Sequence, residues 1–166
     1  MIKDITVTRP NEVFVSDITY LRLSDGFCYL FLVTDVYSRK IVGYNLSKSL
    51  AADGAICALK MALNNLPTVE GLIHHSDRGF QYCSDKYVQL LEPRDAKLSM
   101  GKAGNPYENA IAERVNGILK TEFFLNMAFI SVQQTMRAVK EAVTLYNDLR
   151  PYMSIGYITP SFKYVA

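Results

Sequence analysis

The sequence predicts one α/β domain with a five-stranded mixed sheet, three antiparallel strands plus two parallel ones, flanked by helices. Short runs of β-branched and aromatic residues, split by turn signals, fill the first third of the chain. From residue 51 the apolar spacing changes to the period of a helix. Helical segments then precede both later strands, and a strand reached through a helical crossover lies parallel to its neighbour.

Taken in order, E-V-F-V-S-D-I-T-Y-L-R-L (12–23) reads as a strand and Ser24-Asp25-Gly26 as a turn. F-C-Y-L-F-L-V-T-D-V-Y (27–37) is a second strand, apolar enough for burial on both faces. Ser38-Arg39-Lys40 turns the chain into I-V-G-Y-N-L-S (41–47), which completes an antiparallel meander. Residues 51–66 place Ile56, Leu59 and Leu63 on one helical face, and Pro67 ends the helix. E-G-L-I-H-H (70–75) is a fourth strand. A helix from Ser84 to Leu91 follows, then a fifth strand, K-L-S-M (97–100). The loop G-K-A-G-N (101–105) leads into two helices, roughly 106–125 and 131–148.

Composition narrows the class. A chain of 166 residues suits a single domain with a hydrophobic core, and 49% apolar with 20% charged residues is ordinary for a globular protein. No apolar run approaches the roughly 20 residues that span a membrane. The opening M-I-K-D-I-T-V-T-R-P carries charges where a signal peptide needs an apolar run, so a cytoplasmic protein is expected. Cys28, Cys57 and Cys83 form no C-x-x-C pair and read as buried thiols. A net charge of +2 neither demands nor excludes a nucleic-acid partner.

The helix P-Y-E-N-A-I-A-E-R-V-N-G-I-L-K-T-E (106–122) starts with Asn105 as cap and Pro106 in its first turn. At about 100° per residue, Ile111, Val115, Ile118 and Leu119 share one face, and Asn109, Glu113, Asn116 and Lys120 the opposite one. A solvated helix face accounts for that polar stripe. A second reading emerges when three acids are set together. Asp17 interrupts the first strand, where a carboxylate is unfavourable unless it has a task. Asp77 follows the fourth strand, and 35 residues (78–112) separate it from Glu113. A turn residue needs no more explanation than its turn. Yet if strands one and four are neighbours, Asp17 and Asp77 come close, and the helix lays Glu113 across them. Crowded carboxylates repel, and divalent cations relieve the repulsion. Mg²⁺ takes oxygen ligands and leaves positions open for phosphate and water. Two such ions about 3.5–4 Å apart clamp the attacking and leaving oxygens of a phosphoryl transfer.

S-D-I-T-Y (16–20), V-T-D-V-Y-S-R-K-I-V-G (33–43), H-H-S-D-R-G-F-Q-Y (74–82), N-P-Y-E-N-A-I-A-E-R (105–114), L-K-T-E (119–122) and Y-N-D-L-R-P (146–151), closed by G-Y-I-T-P (156–160), carry a resemblance. Together they resemble the integrase-type (DDE) catalytic core of bacterial insertion-sequence transposases, relatives of retroviral integrases. In that family one acid lies in the S/T-D-I-T-Y strand, one in H-S-D-R-G, and one follows after 35 intervening residues. Asp17, Asp77 and Glu113 hold those positions.

The resemblance implies a ribonuclease-H-like fold over residues 1–166, two Mg²⁺ or Mn²⁺ ions on Asp17, Asp77 and Glu113, and DNA cleavage followed by strand transfer. It implies double-stranded DNA as partner, at the element ends and the target, and a homodimer or larger synaptic assembly. A full-length relative also carries an upstream helix-turn-helix region, which is expected outside this chain. Two positions depart from the family pattern: Phe14 stands for tryptophan, and Tyr152 for the histidine after R-P.

Arg78, Lys102, Asn109, Asn116 and Lys120, with Arg114, are candidate DNA contacts by their nearness to the acids, although surface solvation explains each one singly. Asp35 is read as bonding the Ser38-Arg39 turn, with an accessory role at the acids as the alternative. His74 and His75 point to opposite faces of a strand and so cannot share one ion. A ribonuclease-H-like nuclease without joining activity, and a domesticated non-catalytic DNA-binding or assembly module, are the competing functions.

Overall fold

Strands β1 (Val13–Leu23), β2 (Gly26–Asp35) and β3 (Ile41–Ser47) form the antiparallel meander, with β1 pairing β2 from Phe14↔Asp35 to Leu23↔Gly26. This is a computed structural model, and it describes residues 6–64, 66, 69–77, 79–100 and 109–166. After helix α1 (Ala52–Asn64), strand β4 (Ile73–Ser76) runs parallel to β1. After the single turn α2 (Asp85–Val88), β5 (Lys97–Met100) runs parallel to β4. The sheet order is β3-β2-β1-β4-β5. Helices α3 (Ala110–Thr121), α4 (Val132–Asp148) and α5 (Pro160–Val165) complete the chain.

Alternation along β2 explains why both faces are covered. Cys28, Leu30 and Leu32 join the core beneath α3 and α4, while Phe31 and Val33 join the core beneath α1. At the end of β2 the buried Asp35 accepts hydrogen bonds from Ser38 N (2.8 Å), Ser38 Oγ (2.6 Å) and Asn11 N (2.9 Å). That carboxylate organises the β2–β3 turn, as its position in the sequence suggests.

Several boundaries differ from the sequence reading. β4 starts at Ile73 rather than 70, because Glu70 and Gly71 form a turn in which Gly71 adopts φ +76°. The helix expected over 84–91 closes after one turn and gives way to turns and a 3₁₀ segment, Glu92–Arg94. α5 was not foreseen, although Thr159 caps it by accepting from Phe162 N and Pro160 opens it. Asn105, Pro106, the 101–105 loop and Pro67 lie outside the described residues. Of the three cysteines only Cys28 is buried; Cys57 and Cys83 are exposed, and no disulfide forms. Among the described residues no helix is long and apolar enough to cross a membrane.

α3 contains Gly117, and a Cβ there would meet nothing within 4 Å. Gly117→Ala is therefore expected to stabilise the fold by about 0.5–1 kcal/mol, since it removes unfolded-state freedom without a clash. Urea unfolding of the two proteins measures the difference, and a lowered midpoint would contradict it.

Candidate functional site

The β1–β4 register sets two of the acids side by side. Val13 pairs with Ile73, Phe14 with His74 and Val15 with His75, a constant offset that brings Asp77 level with Asp17 just beyond the last pair. Neighbouring strands lie about 4.8 Å apart. Asp17 is half-buried on the face of β1 that α3 crosses, and Asn116 Nδ2 of α3 donates to its Oδ2 at 2.7 Å. Glu113 lies in the first turn of α3, one turn before Asn116, and is exposed. Asp77 is exposed too, and its Oδ1 accepts from Gly79 N at 2.9 Å. The turn role and the nearness to Asp17 therefore hold together for Asp77.

The electrostatics of the three acids are coupled. Burial pushes the Asp17 carboxyl up to about 6, the Asn116 bond opposes this, and the charges of Asp77 and Glu113 push further upward. Among the described residues, however, no group of three His, Cys, Asp or Glu side chains is drawn together closely enough to hold a metal ion. The donor set nonetheless fits a hard divalent cation: three carboxylates, the most buried of them raised in pKa by its burial first and by the charges of the other two besides. Two amide oxygens close to it, Asn109 Oδ1 and Asn116 Oδ1, are buried without a hydrogen-bond partner.

The two asparagines of the polar stripe of α3 are turned inward, while Glu113 stays exposed. Asn109 (9% exposed) does not cap the helix; its Nδ2 donates to Ser16 O at 2.9 Å. Asn116 (6% exposed) holds Asp17. Sequence periodicity found the stripe but not its direction, because a helix between a sheet and a second helix buries more than one face. Lys120 is half-buried, with its Nζ 4.4 Å from the Tyr20 ring centroid; burial lowers its pKa and the charge of Asp17 opposes this. Arg22, which the sequence reading did not single out, lines a cavity of about 270 Å³ with Lys120 and Tyr20. Arg78 and Lys102 lie outside the described residues.

His74 and His75 point to opposite faces, as strand geometry requires. His75 Nδ1 lies 3.0 Å from Ser99 Oγ. His74 is fully buried, with Nε2 2.8 Å from Ser16 Oγ and 3.0 Å from Tyr87 Oη, and so ties β1 to β4 one residue before Asp17. Burial, with a smaller contribution from His75, lowers its pKa to about 3. The ring is neutral in the fold, whereas the unfolded chain takes up a proton below about pH 6.5. The stability His74 contributes is thus complete above pH 6.5 and is lost as pH falls toward 3, by up to about 1.4 kcal/mol per pH unit. Urea unfolding of wild type and His74→Gln at pH 7, 5.5 and 4.5 is expected to show the difference shrinking on acidification. A constant difference would mean that the folded ring carries a proton.

Comparison with known proteins adds the following. Two sequence profiles, both described as integrase core domain, match residues 7–106 and 94–160. The chain is 37% identical over 155 residues to the 31 kDa protein of insertion element IS600 from Shigella sonnei, covering 93% of this chain and 57% of that one. It is 34% identical over 154 residues to the transposase of IS904 from Lactococcus lactis, covering 92% and 61%. It is 32% identical over 160 residues to the transposase of IS629 from Shigella sonnei, covering 96% and 53%. The chain thus spans little more than half the length of these curated relatives. In three dimensions it is similar to a chain of the simian T-cell lymphotropic virus intasome (TM-score 0.79, 21% identity, 97% of this chain and 58% of that one). It is likewise similar to the HTLV-2 integrase catalytic core domain solved with magnesium in a trimeric form (TM-score 0.75, 18% identity, 96% and 99%). The sheet and its flanking helices therefore have the ribonuclease-H-like fold of retroviral integrase cores.

Proposed function

Because this chain belongs to the integrase core domain family, we propose that it is the catalytic core of an insertion-sequence transposase, cleaving DNA strands and joining the freed 3′ ends to target DNA. The observation that supports this most directly is geometric: the β1–β4 offset carries Asp77 toward the level of Asp17, Asn116 of α3 bonds Asp17, and Glu113 lies one turn before Asn116. In this reading those three acids hold a pair of Mg²⁺ or Mn²⁺ ions. When bound, the ions supply Lewis-acid stabilisation of charge on the attacking and leaving oxygens.

The chain's own residues supply position. Asn116 fixes the Asp17 carboxylate, Asn109 fastens the start of α3 to Ser16, and Gly79 N orients Asp77. Asn109 and Asn116 thus direct their amide donors to β1, which suits them to positioning the acids more than to touching DNA. Lys120, with Arg22 beside it, contacts backbone phosphate, and Arg78 and Lys102 are proposed to extend that contact. Phosphoryl transfer needs little beyond positioning and charge stabilisation, which matches so sparse a site.

The partner is double-stranded DNA, at element ends and target, and two ends joined in one event call for a dimer or larger assembly. Relatives of about twice this length leave room for a separate region that reads the element ends. The test is a strand-transfer assay with a labelled element-end duplex and either metal, using a chain that carries its end-reading region. Joined products support the transposase reading. Cleavage without joining would favour a nuclease, and no reaction with no Mn²⁺ binding at millimolar concentration would favour a non-catalytic module.

A further inference from the structure

A second cavity, of about 300 Å³, opens on another flank of α3 and has no part in the site above. Its position follows from the helix. At about 100° per residue, Asn109, Asn116 and Lys120 form the stripe that faces β1, while Arg114 lies about a quarter turn beyond Glu113 on the other side. Ile111 and Ile118 lie further round and form one wall, and Tyr152 and Met153, from the segment after α4, form the facing wall.

Three guanidinium groups, those of Arg39, Arg114 and Arg150, edge this apolar space, and among the described residues no carboxylate lines it. They are unequally engaged. Arg150 is held by Glu122 through two bonds, at 2.6 and 2.7 Å, and lies over the Tyr152 ring. Arg39 donates Nε to Ser154 Oγ at 3.3 Å and another N–H to the Val36 carbonyl. Arg114 is exposed and makes no side-chain hydrogen bond among the described residues. Arg114 thus lines the cavity beside its apolar wall with no hydrogen-bond partner among the described residues, and its charge reaches Glu122, which already holds Arg150. A group that satisfies both needs a compact anion joined to a flat apolar body, and a volume near the lower limit for ligand pockets admits one such unit.

Arg114 directly follows Glu113, about a quarter turn round the helix, so the rim of the cavity lies within reach of a strand that passes Glu113. We propose that this cavity binds a single nucleotide of the DNA strand running past Glu113, its phosphate on Arg114 and Arg39 and its base against Ile111, Tyr152 and Met153. The proposal rests on the DNA reading above.

Fluorescence anisotropy with a labelled 20-nucleotide strand, in EDTA and from 50 to 200 mM KCl, tests it. Arg114→Gln is expected to weaken binding about five- to tenfold and to reduce the log–log salt slope by about 0.7, the loss of one phosphate contact on a single strand. Met153→Glu, at an exposed position that tolerates change, is expected to weaken binding about threefold or more, and Arg114→Lys to keep the slope. Arg137→Gln, exposed on α4, is the control and is expected to leave binding unchanged. Thymidine 5′-monophosphate is expected to shift the methyl resonances of Ile111, Ile118 and Met153, whereas inorganic phosphate is not. Wild-type affinity and slope in Arg114→Gln and Met153→Glu would overturn this proposal alone. Displacement of the strand from the cavity by a poly-glutamate peptide, with no methyl shift from the nucleotide, would overturn it in favour of a protein segment. Failure of the wild-type chain to bind DNA at all would overturn the DNA reading with it.

Discussion

Asp17→Asn is expected to reduce strand cleavage and joining about a thousandfold or more while the protein stays folded. The substitution is nearly isosteric, and its amide oxygen still accepts from Asn116. What disappears is the charge that faces Asp77 and Glu113 and, on the proposed reading, holds the cations between them. Several kcal/mol of charge stabilisation rest on such an arrangement, and each 1.4 kcal/mol is a factor of ten in rate. Asp77→Asn and Glu113→Gln are expected to have comparable effects, because on the proposed reading the three acids act as a unit and their losses do not add. Removing a half-buried charge that two like charges oppose does not weaken the fold, so the thermal midpoint of Asp17→Asn is expected to equal or exceed that of wild type. Products from a labelled duplex in Mn²⁺, with the midpoint measured on the same preparation, decide the matter. Wild-type rates in any one of these variants would remove that acid from the mechanism.

Gly43→Ala is expected to cost the fold about 3 kcal/mol. Gly43 lies on β3 opposite Val33, directly beneath α1. A Cβ at this position would overlap the carbonyl oxygen of Ala58 and come within 2.9 Å of the amide nitrogen of Ala62. Both are backbone atoms of α1, so no rotamer change relieves the contact. The helix must lift, and Ala55, Ala58, Leu59 and Ala62, all packed in the core beneath it, lose contact with β2 and β3. Urea unfolding provides the measurement, and a midpoint within error of wild type would show that α1 does not sit so close. The same exchange at Gly117 is expected to act in the opposite direction, because there the new methyl meets open space.

That contrast marks the limit of what was legible beforehand. Gly43 and Gly117 look alike along the chain, and only the neighbour across the packing interface separates them. Periodicity located β3 and β5 at their observed bounds and β1, β2, α1 and α4 within about two residues, because local side-chain spacing decides such elements. It misjudged β4 and the helix after it, where a left-handed glycine and a 3₁₀ segment interrupt apolar patterns that continue past them. The six residues of α5 were too few for a periodic signal, although their Thr-Pro start was readable.

For the candidate site, only Asp17 stands against local preference, as an acid within a strand; Asp77 suits its turn and Glu113 its polar helix face, so those two were singled out by the 35-residue spacing and the family resemblance. The sequence by itself thus determined the order of elements and their amphipathic faces, and it nominated the three acids that the proposed function uses. Only the tertiary structure decided that β4 lies beside β1 in a register that levels Asp77 with Asp17, that Asn109 and Asn116 turn inward to hold β1, and that Arg39, Arg114 and Arg150 meet around one cavity. The reason is that local preference acts over a few residues, whereas these encounters join segments as far apart as Arg39 and Arg150 and depend on which faces the packed helices leave room to approach.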